Sequence, residues 1–273
     1  MSAKLSSLVV LITGASAGIG AATAHELARA GCRLALAARR KERLEDLARE
    51  LKKQHNTDAL VCAVDVQEPE QVRAMVESVA RHFGRLDVLI NNAGVLRLAP
   101  LLAMPLAEME NQMNTNFWAV IHSVRAAAPL MARQGGGHII NIASAASHRG
   151  LPYMAVYAAS KWALTGLTES LRVELGVENI CFTTVYPGVI DTDMPRNLDR
   201  SRLPADYPDH RSSRLPVGRV ARAIVRAVCN KTVEVYVPWW LRYVSWPFAL
   251  CPGFFDRVIR WHYRIRSAAA RSQ

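Results

Sequence analysis

Seven short apolar runs recur along the chain, near residues 8–13, 33–38, 59–64, 86–91, 138–143, 180–186 and 233–237. Runs such as Leu8-Val9-Val10-Leu11-Ile12 have the continuous hydrophobicity of strands buried on both faces. Between them, apolar residues recur with helical spacing near 18–30, 40–54, 69–83, 105–134, 154–176 and 217–229. Strand and helix alternating over this length predict an α/β fold: a doubly wound parallel sheet of about seven strands with helices on both faces. In such sheets ligands sit beyond the carboxyl ends of the strands, where the strand order reverses. Gly14, Asp65, Asn92, Ser144 and Pro187 each fall just after a predicted strand, which places one site along one sheet edge.

Composition adds an uneven charge. The chain has 273 residues, 51% of them hydrophobic and 21% charged, enough to bury one full core. Its formal net charge is +11. Residues 1–195 carry 19 basic and 18 acidic side chains, and residues 196–273 carry 15 and 5. The expected organisation is one domain over 1–237, with a mobile lid over 194–216, followed by an aromatic, basic extension over 238–273. Five scattered cysteines (32, 62, 181, 229 and 251) form no CxxC and read as thiols in a reducing compartment. The eight histidines show no HxxxH or HExxH spacing, so no metal site is expected. The amino terminus does not read as a signal peptide, and the expected location is the cytoplasmic side.

Two motifs carry candidate chemistry. Thr13-Gly14-Ala15-Ser16-Ala17-Gly18-Ile19-Gly20 joins the first predicted strand to an Ala-rich helix. Glycines there let the backbone approach a pyrophosphate, and the helix start offers free N–H groups and the positive end of its dipole. Tyr157 and Lys161 stand four residues apart, on one face of a predicted helix. A phenol titrates near pH 10, and a fixed positive charge beside it lowers that value. Such a pair can serve as a general acid/base near neutrality.

These motifs, with Asn91-Asn92-Ala93-Gly94, Ser144 thirteen residues before Tyr157, and Pro187-Gly188-Val189-Ile190-Asp191-Thr192, resemble the single-domain short-chain dehydrogenase/reductases over roughly residues 5–237. The resemblance implies a Rossmann-type fold and hydride transfer between a nicotinamide and a carbonyl or alcohol carbon. It gives Tyr157 the acid/base role and has Ser144 hold the substrate oxygen. Lys161 would tune Tyr157 and bind the ribose, and Asn116 would position a relay water. Cofactor contacts are implied for Gly14, Ser16, Gly18, Ile19, Gly20, Asp65, Val66, Asn92, Ala93, Gly94, Tyr157, Lys161, Pro187, Gly188, Val189 and Thr192. At the end of the second strand, Ala38 stands where relatives preferring NAD carry an acid. Arg39 and Arg40 follow, and a guanidinium there can pair with a 2′-phosphate. NADP(H) is therefore expected over NAD(H). A non-catalytic NADP(H)-binding sensor or scaffold is the alternative, disfavoured because all four catalytic positions are filled.

The substrate is less legible. Leu96, His148, Leu151, Tyr153, Val189 and Met194 flank the catalytic positions and are mostly apolar, which favours a hydrophobic carbonyl compound. In the lid, Arg196, Arg200, Arg202, Arg211 and Arg214 either attract an anionic group or are solvated. The extension holds four of the six tryptophans, yet its longest uncharged run, 243–255, is too short to span a bilayer. Phe255, Val258, Ile259, His262 and Ile265 recur at helical spacing beside Arg257, Arg260 and Arg264. An aromatic and arginine-rich helix of this kind can lie on an anionic membrane surface. Packing on the domain or across a dimer interface is the second reading. Nucleic acid is not expected, because no recognised motif accompanies the charge. A membrane-facing tail favours a sterol, a retinoid, or a long-chain or acyl-derived ketone. The resemblance also implies a homodimer or homotetramer built on the helices near 105–134 and 154–176, with Trp118 and Trp162 available to it.

Overall fold

The alternation of apolar runs and amphipathic segments becomes a seven-stranded parallel sheet of order β3-β2-β1-β4-β5-β6-β9 in a computed structural model, which describes residues 5–196, 199–204, 207–208 and 214–263. The strands are β1 (Val9–Thr13), β2 (Arg33–Ala38), β3 (Ala59–Ala63), β4 (Val88–Asn91), β5 (Gly137–Ile142), β6 (Ile180–Pro187), the two-residue β7 (Ile190–Asp191) and β8 (Leu215–Pro216), and β9 (Glu234–Val237). After β3 the chain crosses back to lay β4 on the other side of β1. That reversal opens a crevice at the carboxyl ends of β1 and β4.

Strand hydrophobicity is continuous because both sheet faces are covered. From β1, Val10 and Ile12 enter one core with Leu27, Leu36, Leu44 and Ile224. Val9 and Leu11 enter the other with Val72, Val76, Val124, Met131 and Leu164. Helices Gly18–Arg29, Lys41–His55 and Val217–Asn230 serve the first face, while Pro69–Phe83, Ala119–Arg133 and Ala155–Glu174 serve the second. Pro69 opens its helix at a position where no N–H is needed, and Gly84 closes it at φ +77°.

The segment read as one helix over 105–134 is divided. Leu106–Met113 and Ala119–Arg133 flank a π-helical stretch, Asn114–Trp118, that contains Asn116. Periodicity cannot reveal a wider turn inside an otherwise regular helix. The small parallel pair β7 and β8 was also not foreseen, since two residues carry no alternation pattern.

The extension forms helices Leu241–Leu250 and Pro252–His262. Its apolar stripe is rotated from the expected one. Phe255 and Ile259 are half-buried, while Phe254, Val258 and Trp261 face solvent at 61%, 41% and 80% exposure. Contacts with the domain set this rotation. Asp256 is bonded to Arg149, whose guanidinium lies 5.6 Å from the Phe248 ring centroid, and buried Tyr263 meets the Tyr207 ring at 5.5 Å. The side chain of Arg196, and Arg211, Arg264 and Ile265, lie outside the described residues. Among the described residues no helix is long and apolar enough to cross a membrane.

Candidate active site

The turn after β1 is held open by hydrogen bonds from β4. Thr13 Oγ1 donates to the Ile90 carbonyl at 3.3 Å and accepts from the N–H groups of Asn92 and Ala93 at 3.0 and 3.2 Å. Asn92 Nδ2 donates to the carbonyls of Thr13 and Gly14 at 3.0 and 3.1 Å. Gly14 adopts φ +64°, the left-handed region where a side chain is strained. A Cβ on Gly20 would stand 2.5 Å from the Gly14 carbonyl oxygen. The helix that follows has Ala17 at its N-cap, with no side-chain cap and no acid in its first turn. Its leading N–H groups and dipole are therefore free to receive an anion, which is the fit a dinucleotide pyrophosphate requires.

Basic residues mark the far end of this cradle. Arg40 Nη2 donates to Ser16 Oγ at 2.9 Å, and Arg39 Nη1 lies 3.8 Å from Asp65 Oδ2. Asp65 Oδ1 accepts from the Gln67 N–H at 3.0 Å, ahead of the helix that begins at Pro69. Ala38 and Val66 are buried beside them.

Ser144, Tyr157, Lys161 and Asn116 converge beyond β4 and β5. Ser144 caps a short 3-10 turn, accepting from the Ala146 N–H at 3.1 Å, and its hydroxyl acts on the Tyr157 phenol in the direction that lowers its pKa. Trp162 Nε1 donates to the Ala146 carbonyl at 2.7 Å and Ser147 Oγ to the Lys161 carbonyl at 3.0 Å, which fastens the Ser144 loop to the Tyr157 helix. Lys161 is 5% exposed, and its Nζ donates to the Ile142 carbonyl at 2.8 Å. Burial pushes its pKa down to about 8.

Tyr157 departs from the expectation built on charge. Burial raises its pKa, and the Ser144 hydroxyl is what opposes this. The Lys161 ammonium lies 5.9 Å from the phenol ring centroid and is bonded to a backbone carbonyl instead. Among the protein's own groups, desolvation therefore outweighs charge at this phenol.

Asn116 is fully buried and spends its amide on structure. Oδ1 accepts from the Val95 N–H at 2.8 Å, while Nδ2 donates to the Val95 carbonyl and to Ser160 Oγ, both at 3.0 Å. A Cβ on Gly94 would meet Asn116 Oδ1 at 3.2 Å and Lys161 Nζ at 3.6 Å, so Gly94 leaves the space between them clear.

One continuous cavity of about 970 Å³ joins these parts. It runs from Ser16, Arg39, Arg40 and Asp65, past Gly14, Asn92, Ala93 and Gly94, to Ser144, Tyr157, Lys161, Gly188 and Thr192. That volume is at the top of the range of about 300–1,000 Å³ for ligand sites, which leaves room for more than a single small molecule. Leu96, Leu151, Val189 and Met194 are on its wall.

His148 and Tyr153 are not on that wall. The His148 ring packs 4.6 Å from Tyr186 and 5.6 Å from Tyr236, and Tyr153 meets Tyr207 edge-on at 5.5 Å. Proximity in sequence to the catalytic positions makes both candidates for the substrate end, and their ring contacts are with other aromatic side chains. Two lid arginines have carboxylate partners: Arg202 reaches both Glu108 oxygens at 2.7 and 2.9 Å, and Arg214 Nη1 lies 3.7 Å from Asp191. Among the described residues no three His, Cys, Asp or Glu side chains gather where they could hold a metal ion. Sequence reasoning missed Arg97, Met154, Leu215, Arg219 and the run Pro238–Leu241, all of which line the cavity. One signal for the last was present: Pro238 directly follows a predicted strand, as the other site segments do.

A parallel sheet with a bare glycine turn at its reversal, and a buried Ser-Tyr-Lys cluster across the same crevice, defines a nicotinamide-dinucleotide-dependent oxidoreductase. The short chain dehydrogenase family description matches residues 8–203. An 11-beta-hydroxysteroid dehydrogenase A of Sesamum indicum is 36% identical over 263 residues, covering 93% of this chain and 75% of that protein. An alcohol dehydrogenase from Thermococcus sibiricus, solved with 5-hydroxy-NADP, superposes with a TM-score of 0.73 at 30% identity over 84% of this chain and 94% of that one. A short chain dehydrogenase/reductase from Burkholderia phymatum, solved with NAD, gives 0.77 at 26% identity over 91% and 92%. The chain belongs to the short-chain dehydrogenase/reductase family and acts as an NAD(P)-dependent oxidoreductase on alcohol and carbonyl groups.

Proposed function

We propose that the protein interconverts a lipophilic ketone and its secondary alcohol, with NADP(H) preferred over NAD(H). The observation that carries this reading is one continuous cavity in which Leu96, Leu151, Val189 and Met194 give an apolar wall beside the polar Ser144 and Tyr157. The hydroxysteroid activity in the name of the Sesamum indicum relative agrees with such a substrate.

A nicotinamide held in this cavity would supply or accept the hydride. Tyr157 gives its phenolic proton to the carbonyl oxygen during reduction and takes it back during oxidation. Ser144, fixed through Ala146, holds that oxygen in place. Lys161 presents a buried cation with a depressed pKa, close enough to neutrality to pass a proton onward. Asn116 locks the Val95 backbone beside the space that Gly94 leaves clear near Lys161, and a relay water there would carry the proton onward. The contact residues named from the family motifs, from Gly14 to Thr192, hold the dinucleotide along the cavity. Arg40 and Ser16 receive the 2′-phosphate, with Arg39 beside them. Val189 and Thr192, which line the cavity, would hold the nicotinamide end.

The test is oxidation of NADPH, and of NADH in parallel, against carbonyl compounds from small polar aldehydes to steroidal ketones, with Tyr157→Phe as control. Tyr157-dependent turnover of the lipophilic compounds with NADPH is expected. Turnover confined to small polar carbonyls would overturn the substrate reading, and equal efficiency with NADH would overturn the cofactor preference.

A second element of the reading concerns the extension. Phe254, Val258 and Trp261 form an exposed apolar stripe, with Arg257 and Arg260 exposed on the same helix. Charge and aromatic character together suit an anionic lipid surface. Val258→Asp with Trp261→Asp should release the protein from phosphatidylserine vesicles. Unchanged co-sedimentation rejects the contact.

A further inference from the structure

Strand β9 ends at Val237, and the next four residues, Pro238-Trp239-Trp240-Leu241, turn along the cavity. Two sets of contacts hold this turn. The Gly188 N–H donates to the Val237 carbonyl at 2.8 Å, and a Cβ on Gly188 would meet Leu241 Cδ1 at 3.4 Å and Pro238 Cδ at 3.5 Å. Gly188 belongs to the segment between β6 and β7 that lines the same cavity as Ser144 and Tyr157. The turn is also closed on itself, with N–H groups of Leu241, Arg242 and Tyr243 donating to the carbonyls of Pro238, Trp239 and Trp240 at 3.1, 3.3 and 3.0 Å. The Trp239 and Tyr243 rings meet edge-on with centroids 6.2 Å apart.

Despite this fixed backbone, Trp239 is 71% exposed and Trp240 50% exposed. Tryptophan is highly buried on average. Each indole carries a large apolar area and few rotamers, so a molecule covering it gains contact while little side-chain freedom is lost. The adjoining Leu96, Leu151, Met154 and Met194 are apolar, while Arg97, Asp193 and Arg219 are the charged side chains that line the cavity near them in sequence or on the neighbouring helix. Selection by such a wall acts on size and flatness.

We propose that Trp239 and Trp240 are the specificity-determining residues of the substrate end. They hold a flat, rigid, polycyclic aliphatic ketone against the two indoles while its oxygen lies between Ser144 and Tyr157. The inference rests on reading the cavity as a ketone site, and it narrows the substrate class from lipophilic to fused-ring.

The test compares full-length wild type with Trp239→Ala, Trp240→Ala and the double Phe variant on cyclohexanone, a decalone and a steroid ketone. In the Ala variants kcat/KM for the steroid ketone should fall about tenfold or more, through KM. The loss on cyclohexanone should be smaller than on the steroid ketone, NADPH affinity should stay close to wild type, and the Phe pair should recover part of the loss. An equal loss on all three ketones, or a loss confined to kcat, overturns the proposal and makes the pair structural. A second readout needs no turnover. Titrating the steroid ketone into protein loaded with NADP⁺, which cannot reduce it, should quench tryptophan fluorescence in wild type but not in Trp239→Phe/Trp240→Phe. Quenching that persists in that variant also overturns the wall. If wild type reduces none of the three ketones, the ketone-site reading fails, while the wall stands or falls on the quenching.

Discussion

Two turns leave the carboxyl edge of the same sheet and enter the same cavity, and they are built in opposite ways. After β1 the chain offers Gly14, Gly18 and Gly20; after β9 it offers two tryptophans. The first turn is tied across to β4 through Thr13 and Asn92, with side chains excluded so that backbone N–H groups can approach an anion. The second exposes the largest side chains available. A cofactor common to a whole family is met by backbone geometry, and a substrate particular to one member is met by side chains. Between them lies a buried polar centre that belongs to neither turn.

The centre should separate from both ends most sharply in Tyr157→Phe. Single-turnover and steady-state assays should show kcat reduced by about 10²–10⁴-fold, with NADPH affinity retained. An equal loss in NADPH affinity would mean that the hydroxyl supports the nucleotide end rather than the reaction.

Lys161 supplies the next effect, read as stability against pH. Its pKa falls from an ordinary 10.5 to about 8 through burial. Between those values the unfolded chain holds a proton that the folded chain has released. Folding stability therefore rises with pH across that window, by at most about 1.4 kcal/mol per unit. Tyr157 acts the other way, since its raised pKa costs stability only above its ordinary 10.0. Urea unfolding of wild type and Lys161→Met from pH 7 to 10 should show wild type gaining on the variant above pH 8. A constant difference would remove burial as the cause, and Trp239→Ala should show no such trend.

At the nucleotide turn, Gly20→Ala tests close approach. Its methyl would lie 2.5 Å from the Gly14 carbonyl and 2.7 Å from Asn92 Nδ2, so the turn or the helix must shift. A loss of about 1–3 kcal/mol in stability is expected, together with weaker NADPH binding in a fluorescence titration. Trp240→Ala should leave NADPH binding unchanged, and a similar loss in both variants would erase the distinction between the turns.

The same contrast explains what the sequence made legible. Strand runs and the glycine turn are local: Leu8 to Ile12 must be buried on both faces, and Gly14 must bend where it stands. The seven strands and the order of helices followed from such patterns. The ring contacts of His148 and Tyr153 with Tyr186, Tyr236 and Tyr207 join residues distant in sequence, which spacing alone does not show. Helical spacing in the extension was visible, but not its rotation, which depends on Arg149, Tyr207 and Gly188 elsewhere in the chain. Lys161 was expected to act on Tyr157 by charge alone. Spacing could show that they share a helix face, but not that both would be desolvated.

The smallest effect concerns how firmly the extension is held. The turn after β1 is joined to its neighbours by buried or half-buried hydrogen bonds, whereas the helix Pro252–His262 meets the catalytic loop through Arg149 and Asp256, 22% and 57% exposed. Water screens such a pair, and ordering two long side chains offsets part of the attraction. A double-mutant cycle with Arg149→Gln and Asp256→Asn, followed by urea unfolding, should give a coupling of about 0.2–1 kcal/mol. Raising the salt concentration should shrink it further. A coupling above about 2 kcal/mol, insensitive to salt, would mean that this helix is locked to the domain as tightly as the glycine turn. Its orientation, and with it the wall at Trp239 and Trp240, would then be set by a buried electrostatic contact rather than by the packing of Pro238 and Leu241 on Gly188.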